Sequence, residues 1–151
     1  NTSHKGMGCT AELLAFSDEG FIVGHIGDSR TYRLRKGHFE QLTQDHTIVQ
    51  QQFEEGLISA DQIKDHPMRN VIFRAVGIKE ELALDLIIGK IFAEDMFLLC
   101  SDGLTDMIPD EQIREILCSD SDISGKAEEL IETAKNAGGT DNITVVLAAI
   151  I

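Results

Sequence analysis

Alternating and apolar stretches dominate the first third of the chain. Thr10 to Phe16 reads as a strand, Ser17-Asp18-Glu19-Gly20 as a hairpin turn, and Phe21 to Ile26 as the partner strand. Thr31 to Arg35 and Phe39 to Leu42 read as a second hairpin across Lys36-Gly37-His38. The period then changes. Thr47 to Glu55 has helical spacing, and Gly56 stops it. Ser59 followed by Gln62 is a capping-box pattern that starts a short helix before His66-Pro67. Asn70 to Val76 fits either strand or turn.

Leu82 to Ile88 and Met96 to Cys100 read as strands. Pro109 suits the first residue of a helix running to Cys118, with Ile113, Ile116 and Leu117 on one face. A further helix is expected from about Lys126 to Ala137. Its apolar stripe is Ala127, Leu130, Ile131 and Ala134, and Gly138-Gly139 ends it. Ile143 to Ile151 is apolar throughout, as a strand covered on both faces would be. Antiparallel strands with helices packed on them predict an α+β layered domain.

Composition narrows the class of partner. The 151 residues fit one domain, 1–151, and 42% are hydrophobic, enough for a core. Net charge is -13, from 26 acidic and 13 basic residues. Such a surface argues against nucleic acid or an anionic membrane as the main partner. It would also repel an anionic substrate, unless bound divalent cations reverse the field locally. Cys9, Cys100 and Cys118 form no CxxC pair, so a structural zinc site is not expected. Cys100, inside an apolar run, reads as a small core residue. Reduced cysteines and the lack of a targeting or transmembrane stretch point to the cytoplasm. "NTSHKGMGCT" opens without Met and leads almost at once into a strand, so the chain is expected to be cut from something longer.

Three aspartates share one setting. Asp28 follows "FIVGHIG", Asp102 follows "MFLLCS", and Asp141 precedes "ITVVLAAI". If the strands are neighbours, the carboxylates converge on one sheet edge. Carboxylates are hard ligands suited to Mg²⁺ or Mn²⁺. Without a cation they would raise one another's pKa by repulsion. The plainer alternative makes Asp102 a helix N-cap, Asp28 a turn residue and Asp141-Asn142 a loop.

Ordered motifs favour the metal reading. "KGMGCT", "HIGDSRTYRLRKG", "LTQDHTIVQQQFEEGLI", "HPMRNVIFRAVG", "FLLCSDGLTDMI" and "AGGTDNITVVLAAI" follow one another along nearly the whole chain. Together they resemble the metal-dependent Ser/Thr protein phosphatases of the PPM (PP2C) family, in their bacterial form. The resemblance implies a layered α-β-β-α sandwich of two antiparallel sheets with helices outside, incomplete here at its N-terminus. It implies two or three Mn²⁺ or Mg²⁺ ions in the intact domain, which activate a water toward phosphoserine or phosphothreonine. It makes Asp102 and Asp141 ligands of the binuclear centre, and Asp28, with Asp102, a ligand of a third ion. Gly103 would let the chain turn beside the metal, and Asn142 would support the loop. Residues from about 45 to 77 resemble the family's flap. The implied partners are a phosphorylated protein and a cognate Ser/Thr kinase, with the protein itself a monomer.

The departures also carry expectations. The family's early Asp-Gly, whose aspartate bridges the metals, has no counterpart before Gly6. With too few protein oxygens to fix a hard ion, this chain alone is expected to be weakly active or inactive. A phosphatase-like binding module without turnover is the rival reading. "AEDM" (Ala93 to Met96) stands where the family has a Pro-Gly-Asp turn, and a different hairpin is expected there. Arg74 is expected in a structural ion pair. "DSDISGKAEELI" has part of a calcium-loop pattern, but Ile131 stands where a bidentate Glu is needed. His4, His25, His38, His46 and His66 show no HExxH spacing, and His46 and His66 read as structural.

Overall fold

The structure, a computed structural model, describes residues 7–78 and 81–151. His4 and the start of "KGMGCT" therefore lie outside the described residues. Strands β1 (Ala11–Ser17), β2 (Gly20–Ile26) and β5 (Asp85–Gly89) form one antiparallel sheet in the order β1-β2-β5. Strands β3 (Arg30–Arg35), β4 (His38–Gln41), β6 (Met96–Cys100) and β7 (Val145–Ala149) form a second, in the order β4-β3-β6-β7. Five helices complete the described elements: α1 (Ile48–Glu54), α2 (Ala60–Ile63), α3 (Asp102–Thr105), α4 (Asp110–Leu117) and α5 (Ile123–Asn136).

Two apolar layers hold this together. Between the sheets, Phe21, Val23 and Phe97 are buried, with Phe21 and Phe97 edge to face at 4.9 Å. Beneath the helices, Tyr32, Leu98, Leu104, Ile113, Leu117 and Leu130 are fully buried. Period-two strands supply both layers: in β6, Phe97 faces the first layer and Leu98 the second. Helices α3 and α5 pack on β6 and β7. On the opposite sheet, register aligns Leu13, Gly24 and Leu86 in one row and Ala15, Ile22 and Ile88 in the next. That outer face is apolar yet open, with Leu13 64%, Leu86 65% and Ile88 73% exposed.

Several local expectations hold. Thr47 caps α1 by accepting the Gln50 N–H, and Ser59 with Gln62 forms the reciprocal capping box of α2. Strand β6 has the expected ends, and Cys100 is buried. Burial pushes its thiol up to about 12, which makes it inert as a nucleophile. Asn70 to Val76 contributes only isolated bridges, Ile72 to Thr47 and Val76 to Cys9.

Other expectations need correction. Pro109 is the extended N-cap of α4, not its first helical residue. Helix α5 begins earlier than periodicity suggested, because Asp122 caps it by accepting the Gly125 N–H at 2.7 Å. Gly125 thereby enters the helix, and no calcium-type loop forms there. Lys126 is buried off the apolar stripe, because its ammonium caps α4 at the Leu117 carbonyl, 2.8 Å away. Strand β7 lies at a sheet edge, and Val146 is exposed, so it is not covered on both faces. "AEDM" is not a hairpin. It carries the chain from one sheet to the other, since β5 pairs with β2 while β6 pairs with β3 and β7. There Asp95 is buried and accepts two bonds from the Arg35 guanidinium, both at 2.6 Å.

Candidate functional site

Each of the three aspartates stands where a strand ends. Asp28 lies in the bend that carries the chain from β2 in one sheet to β3 in the other. Gly27 makes that bend with φ +118°, and a Cβ there would meet Thr10 at 2.4 Å. Only glycine tolerates that pairing of backbone angle and close neighbour. On the far side of Asp28, the Ser29 and Thr10 hydroxyls share a bond of 2.9 Å.

Asp102 is the first residue of α3, and Ser101 is the N-cap. Asp102 accepts the Gly103 N–H at 2.9 Å. Asp141 accepts the Asn142 N–H at 2.7 Å. Ser101 joins these two loops. Its hydroxyl donates to the Asn142 carbonyl at 2.9 Å and accepts the Thr144 N–H at 3.0 Å. Gly103 has no positive φ, so it is not a turn glycine. Its role is close approach: a Cβ would sit 2.4 Å from the Asn142 carbonyl oxygen. Asn142 thus supports the loop through its backbone.

Burial and neighbouring charge act on two of the three. Burial first, then the Asp102 charge, pushes Asp28 up to about 6. Burial, then Asp141 and Asp106, raises Asp102. Among the described residues, however, no three His, Cys, Asp or Glu side chains are gathered closely enough to hold a metal ion.

A stability test follows from Asp28. A carboxyl whose folded pKa is raised contributes stability below its unfolded value near 3.8, and that stability is lost as pH rises through about 6. At pH 7 the ionised group therefore weighs against the metal-free fold. Asp28→Asn is expected to raise the thermal midpoint at pH 7 in chelator and to leave it nearly unchanged near pH 4. A midpoint lowered at pH 7 would refute this.

Arg30 and Asp45 flank the site. Arg30 binds Asp45 through one guanidinium edge in a bidentate pair, with Nε to Oδ1 at 2.9 Å and Nη2 to Oδ2 at 2.7 Å. This fixes the start of the flap-like segment onto β3. Arg30 Nη1 also donates to Tyr32, whose hydroxyl donates to Asp110 at 3.2 Å. Arg74 pairs with Asp85 at 3.1 Å, as expected of a structural ion pair. Arg69 donates to the Lys64 carbonyl and His66 accepts the Met68 N–H, both local contacts. Sequence reasoning did not single out Ser101, Arg30 or Asp106. Only the Ser before Asp102-Gly103 had a readable signal, as a helix N-cap type.

The chain matches the family model "Protein phosphatase 2C" over residues 1–53. It is 42% identical over 149 residues to the protein phosphatase PhpP of Streptococcus pneumoniae, covering 97% of this chain and 60% of that protein. Among solved structures, the Mycobacterium tuberculosis serine/threonine phosphatase PstP/Ppp aligns with TM-score 0.91 and 41% identity, over 97% of this chain and 61% of that one. The catalytic domain of PstP in complex with two manganese ions aligns with TM-score 0.87 and 39% identity, over 97% and 60%. The fold is therefore that of the serine/threonine phosphatases, built of antiparallel sheets and helices. The chain belongs to the PP2C family. It spans about 60% of the length of the curated relatives it matches.

Proposed function

We propose that this chain forms part of a metal-dependent phosphatase domain that hydrolyses phosphoserine and phosphothreonine in proteins. The observation that supports the reading is that Asp28, Asp102 and Asp141 stand at the ends of neighbouring strands β3, β6 and β7, within a fold matched by a manganese-containing relative. The donor set is hard oxygen, and the raised carboxyl pKa values mark a site that favours a cation. Asp102 and Asp141 would hold one ion and Asp28 with Asp102 another, either Mn²⁺ or Mg²⁺. When bound, such ions lower the pKa of a water and offset charge on a phosphoryl group. Ser101 and Gly103 keep the Asp102 and Asp141 loops together, and the Gly27 bend would set the course of Asp28.

Three side chains with no tight cluster leave a divalent ion underliganded, so the 151-residue chain alone would turn over slowly or not at all. Its substrates would be products of a Ser/Thr kinase, met in the cytoplasm by a monomer. Release of phosphate from a phosphothreonine peptide, with and without Mn²⁺, tests this. A chain extended to its relatives' length is expected to be active with Mn²⁺ and to lose at least about 100-fold on Asp102→Asn, while the present chain stays near background. Metal-independent release by either chain would overturn the reading.

A further inference from the structure

At the Gly27 bend lie two histidines whose protonation states follow from their partners. His25 is completely buried. Its Nδ1 meets the Glu12 carboxylate and its Nε2 lies 2.8 Å from the Gln44 carbonyl. Both partners only accept, so both ring nitrogens carry protons and His25 is an imidazolium. His46 stacks on it at 4.6 Å between ring centroids. Its Nδ1 accepts the Gly27 N–H at 3.1 Å, so that nitrogen carries no proton. Since one ring nitrogen must carry the proton, Nε2–H donates to Asp85 at 3.1 Å, with the Arg74 guanidinium, itself held by Asp85, 3.3 Å from the same nitrogen. His46 is therefore neutral, in the Nε2–H form. Burial and the charge of His25 also lower its pKa.

Two of the His46 contacts close on Gly27. Its ring accepts from the Gly27 N–H while its own backbone N–H donates to the Gly27 carbonyl at 2.7 Å. Gly27 is thus held from both sides in its left-handed bend, and Asp28 is the next residue. We propose that His46 is a positioning residue for the Asp28 carboxylate, acting through Gly27, with Asp85 fixing the tautomer that does so. This rests on the metal reading of Asp28 given above.

Two variants separate the ring's ends. Asn places an oxygen near the position of Nδ1, so His46→Asn retains an acceptor for Gly27. His46→Gln reaches the position of Nε2 and Asp85 but loses that acceptor. Three readouts apply: ring ¹⁵N shifts of the wild type, amide exchange at Gly27, and Mn²⁺-induced broadening at Asp28 compared with Asp102. The wild type is expected to show His46 unprotonated at Nδ1 and His25 protonated at both nitrogens. His46→Gln should speed Gly27 exchange about tenfold or more, as a lost buried bond would. It should weaken broadening at Asp28 more than at Asp102, and His46→Asn should restore both. A protonated Nδ1 in the wild type, or rescue by Gln rather than Asn, overturns the proposal. The ring shifts decide even if a variant fails to fold. The Mn²⁺ measurements use the chain extended to its relatives' length, and if Mn²⁺ broadens none of the aspartates in that wild-type chain, the metal reading falls. Gly27 exchange still reports on the His46 contact by itself, so the two failures are distinguishable.

Discussion

Glu12→Gln is expected to destabilise the fold by about 1.5–3 kcal/mol, the range for losing a hydrogen bond to a charged group. Glu12 bonds His25 through one oxygen and accepts the Thr31 hydroxyl at 2.7 Å through the other. The pair lies between the sheets, with the histidine side chain at 0% and the carboxylate at 8% exposure. Without the carboxylate, His25 must either stay charged with no counter-charge or lose a proton. If it loses one, Nδ1 can accept an N–H from the substituted amide while Nε2–H still donates to the Gln44 carbonyl, so what is lost is the charge-assisted bond rather than all pairing. The pH dependence has a fixed sign. Burial works against the charged imidazole, but the bond and charge of Glu12 outweigh it and raise the pKa. A raised folded pKa gives stability that is complete below the ordinary value near 6.5 and is lost as pH rises through the folded value. The wild-type margin over Glu12→Gln should therefore be widest at slightly acid pH and narrow on the alkaline side. Urea denaturation at pH 6 and pH 9 measures both numbers. A loss below about 1 kcal/mol at pH 6 would mean the pair is solvated in solution.

What the sequence made legible was local. The capping box of Ser59 and Gln62, the Thr47 cap and the ends of β6 follow from interactions within a few residues. The Asp28, Asp102 and Asp141 positions were legible because each stands where an apolar run stops. That the strands they border are neighbours was only conditional until strand order placed β6 between β3 and β7. The Glu12–His25 pair was not legible, because it depends on β1 and β2 being paired in one register. A slip of one residue would send one of the two to the other face. His46 is an ordinary residue of a "DHT" tripeptide until the fold brings it against Gly27, 19 positions away. The "AEDM" error has the same origin: a short polar break between strands fits a hairpin and a sheet-to-sheet crossover equally well. The role of Gly103 was misread in kind. Asp-Gly suggests a turn, but the glycine is needed for what lies above it.

Gly103→Ala carries the second large effect. In a helix, alanine is ordinarily favoured over glycine by about 1 kcal/mol. Here the added carbon would meet the Asn142 carbonyl oxygen at 2.4 Å and its carbon at 2.9 Å. Backbone cannot swing aside as a side-chain tip does, so the Asp141–Asn142 loop must move away from α3. The strain is expected to lower stability by about 1–3 kcal/mol, reversing the helix preference. The shift acts on the distance between Asp102 and Asp141 and on the Ser101 bonds that join their loops. Mn²⁺ affinity of the length-extended chain is therefore expected to fall about 10- to 100-fold, as when a residue supporting a metal ligand is lost. Gly125→Ala supplies the contrast. That glycine is also helical, but its nearest neighbour is the Asp122 side-chain oxygen at 3.1 Å, far from the aspartates. It should leave Mn²⁺ binding unchanged. Calorimetric titration of both variants decides the matter. If Gly103→Ala binds Mn²⁺ as tightly as Gly125→Ala, close packing of α3 on the Asn142 loop does not set the spacing of the two carboxylates. The ligand geometry would then have to be imposed from the Asp28 side of the site.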